Sequence, residues 1–220
     1  MGKPASNGEP ARNWSANVRG ETFTQALIEE GERGQVLVAA TFLDNVLTEY
    51  LRVKFEQEGT SAKLSENLLP TDPERYSPIS AFATKIKVCR AFGLIVDDSF
   101  GALEAIRALR NSFAHADFKI RMDAIPPPMP KPIKELQKPA MALDTLRKYL
   151  AKQEQVVKCH DREGNPVNMW WWMWESHGIK PDNPPSNHQV FLGASLCLYV
   201  MLSVGRFKIA GQQEHFRIQA

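Results

Sequence analysis

A long run of apolar residues at helical spacing most limits how this chain can fold. Between Glu32 and Phe55 the apolar side chains recur every three or four residues, as on one face of an α-helix. The recurring residues are Val36, Ala40, Leu43, Leu47, Tyr50 and Leu51. Val38, Phe42 and Val46 widen the apolar surface, so this helix is expected to lie centrally and to contact neighbours on more than one side.

Two further helices are predicted before residue 120. One begins near Ser80 and ends before Gly93, where a left-handed glycine is expected to follow a helix. The next follows Asp97 or Asp98, either of which can cap it. Residues 57–78 contain several glycines and prolines and are predicted to form a loop, with or without a short helical turn.

The C-terminal part adds two more predicted helices, over residues 141–155 and 189–207. They follow the stretch "AIPPPMPKPIKELQKP", whose six prolines in 16 residues predict a stiff connector over residues 121–140. A small β-hairpin is expected near residues 155–175, where β-prone runs flank a turn.

These segments predict an all-α protein, a compact bundle of about five helices. The predicted domains are a disordered tail over residues 1–20, a helical core over 21–120, the Pro-rich connector over 121–140, and C-terminal helices over 141–220 that complete the bundle around a Trp-rich insertion.

Composition excludes several classes of protein. The 27 basic and 25 acidic side chains give a net charge of +2, so any attraction to nucleic acid needs a local patch. The three cysteines are widely spaced, as is typical of reduced thiols in the cytoplasm. The N-terminus has no apolar run of a secretory signal. The uncharged stretch 190–204 has 15 residues, fewer than the roughly 20 of a membrane span. We predict a cytoplasmic protein that does not contact a membrane, with this stretch as a buried core helix.

The sequence predicts neither a metal site nor a cofactor. Cys159, His160 and Asp161, with His177 and His188 further on, match no zinc spacing. There is no glycine-rich phosphate loop, and no helix holds the long basic run that reading duplex DNA requires.

Two cations fall within the apolar stripes of their helices. At roughly 100° per residue, Lys85 lies about 60° from Phe82. Arg110 lies about 40° from Ile106 on the next helix. Because a buried cation without a partner is costly, we predict an ion pair between helices from Asp44 to Lys85 or Arg110. The alternative is that both cations bury their stems and reach solvent with their heads.

The motif "RNSFAH", residues 110–115, ends the third predicted helix. Arginine and histidine are a common pair for handling a phosphodiester, but a solvated helix end contains the same residue types. On a straight helix Arg110 and His115 point about 140° apart. They meet at one ligand only if the helix unwinds after Phe113 or if a second subunit completes the cleft.

Three segments together resemble the mannitol operon repressor family. They are "ERGQVLVAATFLDNVLTEYL", "SPISAFATKIKVCRAFGLI" and "EAIRALRNSFAH", all within residues 30–118. The matching positions are Asp44; Ser80, Phe82, Lys85, Ile86, Lys87 and Gly93–Ile95; and Ile106, Arg107, Arg110, Asn111, Phe113, Ala114 and His115. The resemblance implies an all-α bundle without a helix-turn-helix, and a non-enzymatic, repressor-like role in transcription through protein partners. We expect such a protein to be a homo-oligomer. The chain departs from the pattern after residue 120.

The Arg-x₄-His spacing also resembles the active-site signature of HEPN-superfamily proteins, many of which are dimeric RNases. This alternative implies a metal-independent endoribonuclease that acts on RNA in a toxin or phage-defence setting. His115 would transfer protons, Arg110 would stabilise phosphorane charge, and Asn111 would orient the histidine or a phosphate. An inactive helical module of the same ancestry is a third possibility. Arg110 paired inward with Asp44 favours the regulator, and Arg110 meeting His115 across subunits favours the nuclease.

A tryptophan cluster remains outside these motifs. Trp170, Trp171, Trp172 and Trp174 surround Met173, and on a strand they would make both faces apolar. We predict that the cluster binds a protein partner; core packing and stacking on nucleobases are the alternatives.

Overall fold

The computed structural model of the chain is almost entirely helical. It describes residues 16–70, 75–115, 121–128, 134–156, 159–160, 166–167, 182 and 184–209. Seven α-helices lie in these residues: α1 (Ala16–Ile28), α2 (Glu32–Gln57), α3 (Ala62–Leu68), α4 (Phe82–Ala91), α5 (Asp97–His115), α6 (Lys134–Val156) and α7 (Asn187–Ile209). The longer helices pack into one bundle, which confirms the predicted all-α fold.

Helix α2 is the central helix, as the width of its apolar surface predicts. All six residues of its predicted stripe are buried, with at most 4% of any side chain exposed. Val38 and Phe42, on the second face, are half-buried and pack against the same core. Helices α1, α4, α5 and α7 all contact α2, so it has neighbours on several sides. The Tyr50 hydroxyl also donates to the backbone carbonyl of Leu202 in α7.

Helices α4 and α5 lie close to their predicted positions. Gly93 follows α4 with a φ of +67°, the left-handed conformation expected there. Helix α5 begins at Asp97, so Asp97 and Asp98 lie in its first turn and the prediction that one of them precedes the helix as its cap is wrong. Their negative charges still stabilise the positive end of the helix dipole. They also form ion pairs with Arg90 and Lys152.

Helix α6 begins before the predicted connector ends. It starts at Lys134, seven residues before Met141, so residues 134–140 are helical although the proline-rich stretch predicts a connector there. Pro139 lies inside the helix, where it removes one backbone hydrogen bond. Pro139 and Ala140 are both buried, and the burial of their apolar surface offsets that loss.

Helix α1 has no counterpart among the predicted helices, and it begins at Ala16, within the predicted tail. Phe23 and Leu27, both fully buried, form its apolar side. This pair is too short a stripe to indicate a helix by periodicity. The ring of Phe23 stacks on Tyr199 of α7 at 4.4 Å between centroids and lies 5.1 Å from Phe42 of α2. These long-range contacts hold α1 against the bundle.

Helix α7 is the buried helix that the uncharged C-terminal stretch predicts. Residues Val190–Tyr199 are all buried, and the helix packs against α1, α2, α5 and α6. Among the described residues, no helix is long and apolar enough to cross a membrane.

Two segments outside the long helices contain short regular elements. The loop over residues 57–78 includes helix α3, where the hydroxyl of Ser61 accepts a hydrogen bond from the backbone N–H of Leu64. Two strands, β1 (Cys159–His160) and β2 (Pro166–Val167), pair antiparallel. A ladder of two residue pairs is too short to confirm the predicted hairpin. The tryptophan cluster, residues 170–174, lies outside the described part of the chain.

Candidate functional site

The RNSFAH residues lie on the last turns of α5, which stays helical through His115. The preceding turns of this helix are anchored in the core by Leu103 and Ile106, which are fully buried. Arg110 and His115 are exposed, and Asn111 between them is half-buried. The motif therefore lies on a continuous helix and faces solvent at two of its four polar positions, Arg110 and His115.

Arg110 is not the buried cation that its wheel position predicts. Its guanidinium is exposed, and Nη1 donates to Oδ1 of the neighbouring Asn111 at 3.3 Å. The physical reason is that a long arginine stem can cover apolar surface while its head reaches water. Arg110 forms no ion pair with any described residue, so its charge is available at the surface.

Lys85 is the cation that pairs with Asp44. Lys85 Nζ lies 2.8 Å from Asp44 Oδ2 and joins α4 to α2. The Lys85 side chain is 9% exposed and that of Asp44 is 27% exposed. Lys85 lies on the same side of α4 as the buried Ile86 and Cys89, which draws its stem into the bundle. Of the two predicted partners of Asp44, the structure brings Lys85 into contact and leaves Arg110 outside.

The Asp44 carboxylate is only partly satisfied. Burial raises its pKa, and the hydrogen bond and charge of Lys85, followed by the charge of Arg110, act in the opposite direction. The net result is a pKa above the ordinary value for aspartate. Its second oxygen, Oδ1, is buried and has no hydrogen-bond partner among the described residues. Asp44, Lys85 and Arg110 thus form an electrostatic cluster across α2, α4 and α5.

A second ion pair on α5 involves a residue that the sequence analysis did not single out. Glu104 Oε2 accepts from Arg107 Nη2 at 2.6 Å and from Arg107 Nε at 2.9 Å. The only sequence signal for this pair is its i, i+3 spacing of opposite charges on a helix. Arg107, which shares a helix face with Asn111 and His115, is therefore paired with Glu104.

The C-terminal end of α5 is held by α2. Arg33 Nη2 donates to the backbone carbonyl of Ala114 at 3.0 Å, where a cation also stabilises the negative end of the helix dipole. Nearby, the backbone N–H of Met122 donates to Glu32 Oε2 at 2.6 Å. No local pattern predicts these contacts, because they depend on the start of α2 lying beside the end of α5. They keep the turn that carries His115 helical.

Because α5 is unbroken, Arg110 and His115 of one chain do not face a common point. They are five residues apart, which is about 140° around the helix. Of the two routes that could bring them to one ligand, unwinding after Phe113 is excluded. A second copy of the chain is the route that remains.

Groups that could hold a metal are not assembled in the described part of the chain, where no three His, Cys, Asp or Glu side chains lie together. Cys89 and Cys197 are buried and do not form a disulfide. Burial raises the pKa of the Cys89 thiol to about 12, so it is neutral at physiological pH.

No protein-family model, no curated protein and no solved structure matches this chain. The resemblances to the mannitol operon repressor family and to the HEPN superfamily therefore stay predictions.

Proposed function

We propose that the C-terminal end of α5 is the phosphodiester-handling site of a metal-independent endoribonuclease, completed by a second copy of the chain. The observation that supports this is the exposure of both Arg110 and His115 on an unbroken helix. Arg110 paired inward with Asp44 would favour the competing regulator hypothesis. Lys85, not Arg110, forms the ion pair with Asp44.

Each residue of the motif has a defined task in this chemistry. One His115 accepts the proton of a ribose 2′-hydroxyl as its oxygen attacks the adjacent phosphorus. A water molecule gives a proton to the departing 5′-oxygen, which leaves a 2′,3′-cyclic phosphate. Arg110 stabilises the negative charge on the phosphorane oxygens, and Asn111, within reach of Arg110, orients it or the phosphate. RNA is the substrate because the nucleophile is the 2′-hydroxyl.

The test uses purified protein, mixed cellular RNA and a chelator. We expect the wild type to produce 2′,3′-cyclic phosphate ends, and His115→Ala and Arg110→Ala to cleave at least about 100-fold more slowly. Lys87→Ala, which removes an exposed cation from α4, is the matched control and should cleave normally. An oligonucleotide with a single ribose in a deoxyribose backbone should be cut only at that ribose.

Mixing the two inactive variants tests the shared site. If Arg110 of one copy works with His115 of the other, a mixture of His115→Ala and Arg110→Ala protein contains pairs with one intact site and recovers part of the activity. If both residues act within one chain, the mixture stays inactive. The proposal is wrong if the wild type cleaves no RNA.

The second candidate is a transcription regulator that acts through a protein partner, as the first resemblance implies. The specific observation in its favour is an exposed apolar pair at the turn between α4 and α5. Phe92 is 49% exposed and Val96 is 64% exposed, so both side chains offer apolar surface that a partner protein could bury. In cells lacking the protein, altered transcript levels that are restored by His115→Ala but not by Phe92→Ser/Val96→Ser would favour this candidate over the nuclease.

A further inference from the structure

Arg33 places a cation from α2 at the C-terminal end of α5. Its Nη2 donates to the backbone carbonyl of Ala114 at 3.0 Å, and Ala114 directly precedes His115. This hydrogen bond holds the guanidinium beside the last turn of α5. A guanidinium has five N–H donors, so one bond to a carbonyl leaves most of them uncommitted. Because Arg33 is exposed, a ligand can reach them from solvent.

The carboxylates that precede Arg33 in the chain do not neutralise it through an ion pair. Glu32 is committed elsewhere, since its Oε2 accepts from the backbone N–H of Met122 at 2.6 Å and its Oε1 lies 3.9 Å from Arg121. No ion pair joins Arg33 to Glu30, or to any other carboxylate in the described part of the chain. Its positive charge is therefore available to an anion.

The carbonyl that Arg33 contacts lies between the two exposed residues of the motif. Ala114 follows Arg110 by four residues, which is about 40° around the helix, and His115 lies about 100° further on. The Arg110 side chain of the same chain points about 140° away from His115. Arg33 thus brings a guanidinium to the residue adjoining His115, which the unbroken helix α5 does not do by itself.

A phosphate at His115 would meet the unfavourable end of a helix. The last carbonyls of α5 have no partner within the helix and carry the negative end of its dipole, which repels an anion. A cation at the same end offsets this repulsion. A nuclease with its histidine on this turn therefore needs such a cation, and Arg33 is held there by a hydrogen bond to the helix end itself.

We propose that Arg33 is a substrate-binding residue, which holds a phosphate oxygen of the RNA strand beside His115 of its own chain. This inference rests on the proposed nuclease function, in which Arg110 of the second copy stabilises the phosphorane. Because the guanidinium is a planar fork, it can donate to the Ala114 carbonyl on one side and to a phosphate on the other. Helix α2 then supplies a phosphate contact to the site on α5.

Kinetics separate phosphate binding from a merely structural contact with the helix end. Arg33→Gln removes the charge and keeps an amide that can donate to the Ala114 carbonyl. For RNA cleavage it should raise KM about 10-fold and change kcat less than about 2-fold, because a charge-assisted hydrogen bond to the substrate is lost. Arg33→Lys, which restores a cation, should recover most of the loss. The matched control Arg52→Gln, about 28 Å along the same helix, should keep the wild-type KM. An unchanged KM in Arg33→Gln contradicts the inference.

A second measurement does not depend on cleavage. A single-stranded 2′-O-methyl oligoribonucleotide keeps the phosphates and lacks the nucleophilic hydroxyl, so fluorescence anisotropy measures its binding alone. When the logarithm of the binding constant is plotted against the logarithm of the salt concentration, the slope for Arg33→Gln should be smaller by about 0.7 than for the wild type, since one phosphate contact is lost. Arg52→Gln should keep the wild-type slope.

The two measurements distinguish failure of the inference from failure of the proposed function. Equal slopes for the wild type and Arg33→Gln, or no binding of the oligonucleotide by the wild type, overturn the inference even if the protein cleaves RNA. If the wild type binds with the expected difference in slope and cleaves no RNA, the proposed function is wrong and the phosphate contact of Arg33 stands.

Discussion

Replacing Lys85 by methionine tests the electrostatic cluster most directly. Methionine keeps much of the apolar stem that packs beside Ile86 and removes the ammonium that Asp44 Oδ2 accepts from. The variant leaves a largely buried carboxylate with neither oxygen paired. We expect a clear loss of stability at pH 7 without a change of fold.

The size of the loss follows from the exposure of the two side chains. Removing one partner of a fully buried ion pair costs about 3–5 kcal/mol, because the other charge remains buried and unpaired. Lys85 is close to that limit at 9% exposed, but Asp44 at 27% is partly stabilised by water. We therefore expect about 2–3 kcal/mol. For the half-buried pair of Arg52 and Glu49, whose side chains are 35% and 37% exposed, Arg52→Met should cost less than about 1 kcal/mol.

The loss should also depend on pH in a defined direction. The folded-state pKa of Asp44 is already raised by burial, and Lys85→Met removes the hydrogen bond and charge that lower it, so the pKa rises further. Between the unfolded pKa of about 3.9 and this raised folded-state pKa, the folded state binds more protons than the unfolded state. Stability therefore falls as pH rises through that window. The deficit of the variant should be largest above the window and disappear below it.

Urea unfolding followed by circular dichroism at 222 nm, from pH 4 to pH 7.5, measures this deficit in an all-α protein. Adding Asp44→Asn to Lys85→Met should restore most of the lost stability, since it removes the unpaired negative charge of the Asp44 carboxylate. A deficit that is the same at every pH, or no larger than that of Arg52→Met, would refute the reasoning.

Three further changes have expected outcomes. Leu103→Ala removes a fully buried side chain of α5 and should cost about 3–4 kcal/mol in the free energy of unfolding, measured by the same urea titration. Gly93→Ala should cost about 1 kcal/mol, measured in the same way, because φ is +67°, although the added Cβ meets no atom within 4 Å; Gly93→Asn should cost less. The neutral, buried Cys89 thiol should react with a maleimide, measured by mass spectrometry, only as fast as the protein unfolds.

Helices with a long apolar stripe could be predicted from the sequence, and those held by distant contacts could not. Helix α2 repeats its pattern over many turns, so its limits and its central place follow from local spacing. Helix α1 depends on the stacking of Phe23 on Tyr199, far apart in the chain. The start of α6 contains Pro139, whose local preference against a helix is overcome by burial in the bundle.

The candidate site could be predicted in its residue types better than in its contacts. The spacing of Lys85 among apolar neighbours indicates a buried cation that needs a carboxylate, and Asp44 provides it. Arg33 on the Ala114 carbonyl has no such signal, because it depends on how α2 and α5 lie relative to each other. The orientation of Arg110 depends on the same packing.

Lys85 and Arg110 occupy comparable wheel positions, yet one is buried and the other is exposed. A helical wheel treats every turn of a helix as equally covered by its neighbours. Lys85 lies in the first turn of α4 with its ammonium 2.8 Å from Asp44 Oδ2, whereas Arg110 lies in the last two turns of α5 and pairs with no described carboxylate. There its guanidinium can reach water while its stem remains on apolar surface. A charged residue in the apolar stripe at the end of a buried helix therefore combines a rigid backbone with an exposed head. These are the two properties that a group binding a phosphate requires, and Arg110 has both.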